Sequence, residues 1–388
     1  MVQGDYDSSE VDSFDLEPAV RSISRWRDVL AVFSPAWFTV NMGTGMASIL
    51  LYFIPFHAKW LHYLSIVLFL LNVVMFCMIS VISILRYFFV PGIWQATVAD
   101  PMVAPFLGAI PIAFATLIEM WVFICVPLWG DWAKTTIWAL WIVDAVVAVL
   151  LTTSLSFLLM SKSRIRSLDM VTAVQLLPIA STIIASGVGA EVAEILVSRD
   201  QAIGTIVACF VLWGMSMPLA LIVLVVYYQR LALYKLPARE VIVSCLLPVG
   251  PLGFGSYNLM YMGKVTYALF ADAEPAIAIS AKCIQVVTLM IGVIIWGFGL
   301  VWLIFGVTSI YITWPFPFNM GWWGFTFPLG VYAASTIQIG NEMPSLFFKV
   351  LGTIYSVMVI ILWCIVFLGT VRGIWKRTLF ATPSTASR

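Results

Sequence analysis

Few residues in this chain are of a type that does acid–base, redox or ligand chemistry, and they are widely scattered. Glu119 and Asp144 stand inside apolar runs, and Lys282 begins another. An ionisable group in hydrocarbon is costly, which makes each a functional candidate by default. Glu119 reads as a proton-coupling group or as a vestibule charge that selects a protonation state. The competing reading is a structural partner for Asp144, for a backbone group or for a second subunit. Lys282 reads as snorkelling to the membrane interface. His57 and His62 flank a short loop and could sense external pH, although loop histidines are more often incidental. The six cysteines form no CxxC pair, so neither a disulfide framework nor a zinc site is expected, and they read as small packing residues. The glycines of "GPLGFGSYN" (250–258) sit in an apolar run with no preceding strand, which excludes nucleotide binding there. With no dyad, triad, metal cluster or ATPase signature, the chain reads as no enzyme, without cofactor, metal or nucleic-acid partner.

The elements that carry these residues are apolar helices. Of 388 residues, 62% are hydrophobic and only 10% charged, where a soluble domain has ~25% charged. The expectation is an all-α integral membrane protein. Ten apolar runs are legible, at about 32–55, 61–86, 104–126, 135–159, 170–190, 201–233, 241–262, 280–312, 322–340 and 346–371. The sixth and eighth exceed the bilayer and should tilt or project. This divides the chain into a cytoplasmic tail at 1–31, a ten-helix transporter domain at 32–371 and a second tail at 372–388. The first tail is acidic, then basic, and lacks the short apolar core of a signal peptide. Fourteen Lys and Arg fall on one side of the runs and six on the other, which puts both termini in the cytoplasm and runs odd helices outward.

A repeat lies in the prolines. Each odd-numbered run carries one: Pro35, Pro111, Pro178, Pro248 and Pro328, spaced 76, 67, 70 and 80 residues apart. Small or hydroxyl residues follow each of them. Even runs are bulkier and carry one interior proline near midspan, Pro218. Proline frees a carbonyl that needs a hydroxyl, water or neighbour, and small residues let helices approach closely. Five Pro-bent helices around an axis, wrapped by five greasy ones, would line a central pore. The fold expected is five helical hairpins with quasi-five-fold symmetry.

The segments "FSPAWFTVNMGTG" (33–45), "FIPFHAKW" (53–60), "LLPIASTIIASGVG" (176–189), "GPLGFGSYN" (250–258), "GWWGFTFPLG" (321–330) and "GNEMPSLFFKVLGTIY" (340–355) carry a family likeness. Over about 28–375 the chain resembles the tellurite-resistance and dicarboxylate transporter family, which includes plant guard-cell slow anion channels, and within it the fungal sulfite exporters. The resemblance implies export of sulfite, a small inorganic anion, across the plasma membrane, and a homo-oligomer, commonly a trimer. It also implies an aromatic gate on the ninth helix, matched by Phe327 with Phe325 as second choice. Trp322 and Trp323 read as interface anchors. Lys and Arg are absent from all five odd runs, so an anion would meet weaker fields from hydroxyls, backbone N–H groups and helix ends. Candidates are Ser34, Asn41, Thr44, Thr116, Ser181, Thr182, Ser186, Ser256, Asn258, Thr326 and Ser335, each of which could instead bond its own helix's carbonyl. Two alternatives stand beside this reading, the first from the same family and the second from another class. One is a proton-coupled malate or dicarboxylate carrier; the other is an anion channel regulated by its tail, with Ser8, Ser9, Ser13, Ser22 and Ser24 as modification sites.

Overall fold

The computed structural model describes residues 30–376 except 57 and 163–166, together with residue 379. The two tails, their serines and His57 lie outside the described residues, apart from the first and last few positions. Ten longer helices organise the rest, and there is no strand among the described residues. They are α1 (Phe38–Phe53), α2 (Lys59–Phe89), α3 (Ala109–Met120), α4 (Asp131–Lys162), α5 (Leu176–Ile195), α6 (Arg199–Tyr234), α7 (Val249–Phe270), α8 (Pro275–Thr313), α9 (Thr326–Glu342) and α10 (Leu346–Trp375). A π turn (Trp121–Cys125) and a last α turn (Val126–Trp129) continue α3. Pro127 explains the widening, because it offers no N–H and crowds the preceding turn.

Among the described residues, eight helical stretches are long and apolar enough to cross a membrane; α1 and α9, with 16 and 17 residues, are shorter. The helices fall into two sets by burial. The central windows of the stretches around α3, α5 and α7 are 67%, 94% and 78% buried, against 22–33% for α2, α4, α6, α8 and α10. Burial also takes 13 of the 16 residues of α1 and 14 of the 17 of α9. The first set is apolar all round and surrounded by protein, while the second exposes large apolar side chains such as Phe88, Ile294 and Leu368. A surface of that kind suits a lipid bilayer.

The buried helices touch in order: α1 packs on α3, α3 on α5, α5 on α7, α7 on α9, and α9 returns to α1. Their approach is close because small residues face neighbouring backbone. A Cβ added to Gly253 of α7 would lie 2.9 Å from the backbone nitrogen of Tyr332 on α9, closer than real side chains come.

The prolines stand elsewhere than the mid-helix bend expected of them. Each buried helix is led in by a 3-10 segment: Pro35–Trp37, Ala104–Gly108, Ala173–Gln175, Arg239–Leu246 and Met320–Phe325. Pro35 opens the first of these, Pro248 precedes α7 directly, and Pro111, Pro178 and Pro328 are each the third residue of their helix. At a helix start the missing N–H would have had no partner anyway. The change of helical type lies at the 3-10 to α junction. Pro218 does stand inside α6.

Candidate transport pathway

The N-terminal halves of the five buried helices, with four of the 3-10 segments, line an apolar vault of about 350 Å³. Met42, Ile112, Ile183, Phe254 and Phe327 contribute one wall from each of α1, α3, α5, α7 and α9. Its polar lining is sparse, consisting of Thr39, Ser244, Asn319 and Glu240, and no Lys or Arg is among the lining residues. Asn319 ties two lead-in segments together at this end. Its side chain accepts from the Gly321 N–H and donates to the Glu240 carbonyl, both at 2.8 Å.

The structure separates the two aromatic candidates. Phe327, second residue of α9, is buried on the vault wall beside Pro328. Phe325 instead packs in an aromatic cluster, with ring centroids 5.5 Å from Trp322 and 6.5 Å from Phe316. The paired tryptophans also part company. Trp322 is half-buried and donates to the Pro317 carbonyl at 2.9 Å. Trp323 is no interface anchor: it is 1% exposed, lines the vault and donates to Thr370 of α10 at 3.0 Å. The 3-10 turn points adjacent residues in different directions, which a reading of the run as one amphipathic anchor ignores.

None of the eleven polar candidates lines this vault. Ser34 caps the first 3-10 segment without a side-chain bond. Four hydroxyls return to the carbonyl three residues back: Thr116 to Ala113, Ser181 to Pro178, Ser186 to Ile183 and Thr326 to Trp323, at 2.6–2.9 Å. The rest join inner helices to outer ones or to each other. Asn41 donates to the Asn72 side chain of α2 at 3.0 Å, and Asn72 to Thr116 at 3.2 Å. Thr44 accepts from Trp363 of α10 at 3.0 Å, and Thr182 pairs with Thr152 of α4 at 2.7 Å. Ser256 donates to the Gly292 carbonyl of α8 at 2.7 Å and accepts from Ser335 at 2.9 Å. Asn258 of α7 donates to Ser186 of α5 at 3.2 Å and to the Ile183 carbonyl. In a dry interior a hydroxyl or amide takes the nearest partner, and these are helix-to-helix links.

At the other ends of the same helices lies a titratable cluster of which only Glu119 stood out in the sequence. Glu119 of α3 and Glu191 of α5, both buried, are within each other's electrostatic reach. Tyr257 of α7 donates to Glu191 Oε1 at 2.8 Å, and Oε2 has no partner among the described residues. Tyr261, stacked on Tyr257 with centroids 5.6 Å apart, donates to Glu194. Glu194 pairs with Lys264 at 3.0 Å, where both side chains are more than a third exposed. A chain of polar groups thus runs from solvent to two buried carboxyls. Glu191 and Glu194 were missed because the fifth run was closed at 190, before its first charge. The signal was the unbroken "GVGAEVAEIL", with no helix stop between Gly187 and Leu196.

Asp144 is buried on α4 with Oδ2 unpartnered, and no hydrogen bond links it to Glu119 among the described residues. Lys282 lies in the second turn of α8, where it donates to Gln285 at 2.9 Å and covers the Tyr267 ring. His62 packs beside Tyr52. The stretch 87–101 folds into a short helix, Ile93–Ala99, held to the end of α2 by Arg86 donating to Thr97 at 3.2 Å.

Known proteins similar to this chain are named as transporters. The chain is 44% identical to the sulfite efflux pump SSU1 of Arthroderma otae, over 94% of its length and 98% of that protein's. It is 43% identical to the proteins of the same name from Arthroderma benhamiae and Trichophyton rubrum, with the same coverage of both chains. Residues 32–371, from just before α1 to near the end of α10, match the model of one family throughout, and the chain belongs to it: the SLAC1, or voltage-dependent anion channel, family.

Proposed function

We propose that this protein exports sulfite across the plasma membrane through a pathway that enters at the vault, passes Phe327 and runs along the axis between α1, α3, α5, α7 and α9. The observation that carries the reading is the vault itself. It is a space of about 350 Å³ bounded by all five buried helices, largely apolar and without a Lys or Arg, with Phe327 in its wall. A site with weak fields holds an anion loosely and lets it leave quickly. Similarity to proteins named sulfite efflux pumps supports the choice of anion.

In this reading α1 and α9, lengthened by their 3-10 lead-ins, also cross the bilayer. The ten spans then form five hairpins in approximate five-fold arrangement, within a transporter domain of residues 32–371. Residues 1–31 and 372–388 are cytoplasmic tails, and the vault opens to the cytoplasm. A membrane potential negative inside drives the anion outward. The subunits assemble as a homo-oligomer, with one pathway in each.

A second reading, proton-coupled transport through Glu119, is favoured by the Glu191 carboxyl beside it and the polar chain leading out to Lys264. A dicarboxylate carrier is disfavoured by the lining of the vault, since a doubly charged acid calls for basic residues there. Sulfite and malate release from liposomes carrying the purified protein, under imposed voltage with and without a pH gradient, separates these readings. Release of sulfite by voltage alone supports the uncoupled pathway. A strict need for the pH gradient supports coupling, and release of malate without sulfite refutes the assignment.

A further inference from the structure

The vault contains no cation, although an export pathway that draws anions from dilute solution gains from one at its entrance. One stands next door. A second cavity of about 280 Å³ shares Val241 and Ser244 with the vault as lining residues. The partition between them is the 3-10 segment Arg239–Leu246. Arg230, one turn before the end of α6, lines this second cavity. Its guanidinium donates to two backbone carbonyls, that of Lys235 from Nη1 at 2.7 Å and that of Asp169 from Nε at 3.5 Å. Those bonds orient the group without neutralising it. Asp169 lines the same cavity, yet Arg230 makes no ion pair among the described residues. Thr172 is part of the same wall, and its hydroxyl, enclosed by protein, has no hydrogen-bond partner among the described residues.

A guanidinium has five N–H donors in a planar fork, and two are used here. The remaining edge matches two oxygens of an oxyanion. The space exceeds what a single small oxyanion fills, so it can arrive with several waters of ~30 Å³ each.

We propose that this side cavity is a docking site for the transported oxyanion, where Arg230 and Thr172 capture it one 3-10 segment away from the vault. The inference rests on the sulfite-export reading. Docking concentrates the anion at the entrance, and the cation-free vault then carries it onward. Arg230 therefore sets the concentration at which transport saturates, and has little effect on the rate once saturated.

The test loads liposomes bearing the full-length protein with graded sulfite and measures initial release for wild type, Arg230→Gln, Arg230→Lys and Thr172→Val. Arg230→Gln is expected to raise the half-saturating concentration about tenfold and to keep the maximal rate within about twofold; Thr172→Val raises the former about threefold. Arg230→Lys keeps the charge and loses the two carbonyl bonds, and is expected to restore most of the apparent affinity. Added impermeant salt should weaken wild-type saturation and leave Arg230→Gln unchanged, because only the charged site is screened. An Arg230→Gln curve that overlays wild type overturns the inference, as does an Arg230→Lys variant as impaired as Arg230→Gln, which would make the role structural. A wild type that releases no sulfite overturns the export reading and this inference with it. A wild type that releases sulfite, with Arg230→Gln unaltered, overturns this inference alone.

Discussion

Replacing Tyr257 by Phe removes one oxygen and tests whether the buried carboxyl cluster is held as the structure has it. Tyr257 is 4% exposed and Glu191 wholly buried, and the 2.8 Å bond between them is the one hydrogen bond that Glu191's carboxyl accepts among the described residues. Its loss leaves both carboxyl oxygens unpaired inside the bundle. Such a loss costs about 1.5–3 kcal/mol for a bond to a carboxyl group, because no water replaces the donor. The ring stays, with its stacking on Tyr261 and its contact with Phe254, so packing contributes little to the difference. Glu191→Leu alone should be costly as well, since it strands the Tyr257 hydroxyl. The double variant removes both partners and should cost less than the sum of the single changes, with a coupling of about 1–3 kcal/mol. The assay is thermal unfolding in detergent at one scan rate, read as the shift in Tm for the four proteins. Single-variant shifts of a few degrees are expected for a chain of this size, at ~2 °C per kcal/mol. A Tyr257→Phe protein as stable as wild type, with additive behaviour in the double variant, would refute the bond and the polar chain built on it.

Three further outcomes follow from the packing. Gly253→Val places a branched side chain where a Cβ already comes within 3.0 Å of Tyr332 backbone atoms, so folded yield by size-exclusion chromatography should collapse; Gly297→Ala, which meets nothing within 4 Å, should be silent. Trp363→Phe gives up the bond to Thr44 at 3.0 Å that joins α10 to α1 and should lower stability by about 1 kcal/mol in the same unfolding assay. Deleting residues 1–27 should leave sulfite flux in liposomes unchanged, whereas a tail-regulated channel would change its flux on that deletion.

How far the sequence carried depends on what each residue was asked to reveal. The division into buried and lipid-facing helices was legible because small and hydroxyl residues recur after five prolines spaced like hairpins, while the intervening runs are bulky. The 36-residue α6 and 39-residue α8 were legible as runs too long for the bilayer. The geometry at the prolines was less so: a proline in an apolar run marks a break, but only the surrounding contacts decide between a kink and a 3-10 lead-in. Side-chain direction was illegible. Asn41 and Thr182 look like lumen residues in a one-dimensional string, and they turn outward because Asn72 and Thr152 wait on neighbouring helices. Glu191 was lost for the opposite reason. A charge was taken to end its run, yet the helix continues through it because Tyr257, 66 residues away, supplies a donor. Phe327 reached the list of candidates through family likeness, and its position on the vault wall depends on how Met320–Phe325 turns into α9.

The proposed anion path runs through the vault and past Phe327. The most direct measurement is voltage-driven sulfite release from liposomes for wild type and Phe327→Ala, with folded protein matched by size-exclusion chromatography. Removing the phenyl ring widens the path where it borders the vault. A barrier lowered by about 1.4–2.8 kcal/mol corresponds to release roughly ten- to a hundredfold faster. The account predicts an increase in that range, with sulfite still the transported anion. Release equal to or slower than wild type, from a variant that is folded, would contradict it and place the path elsewhere.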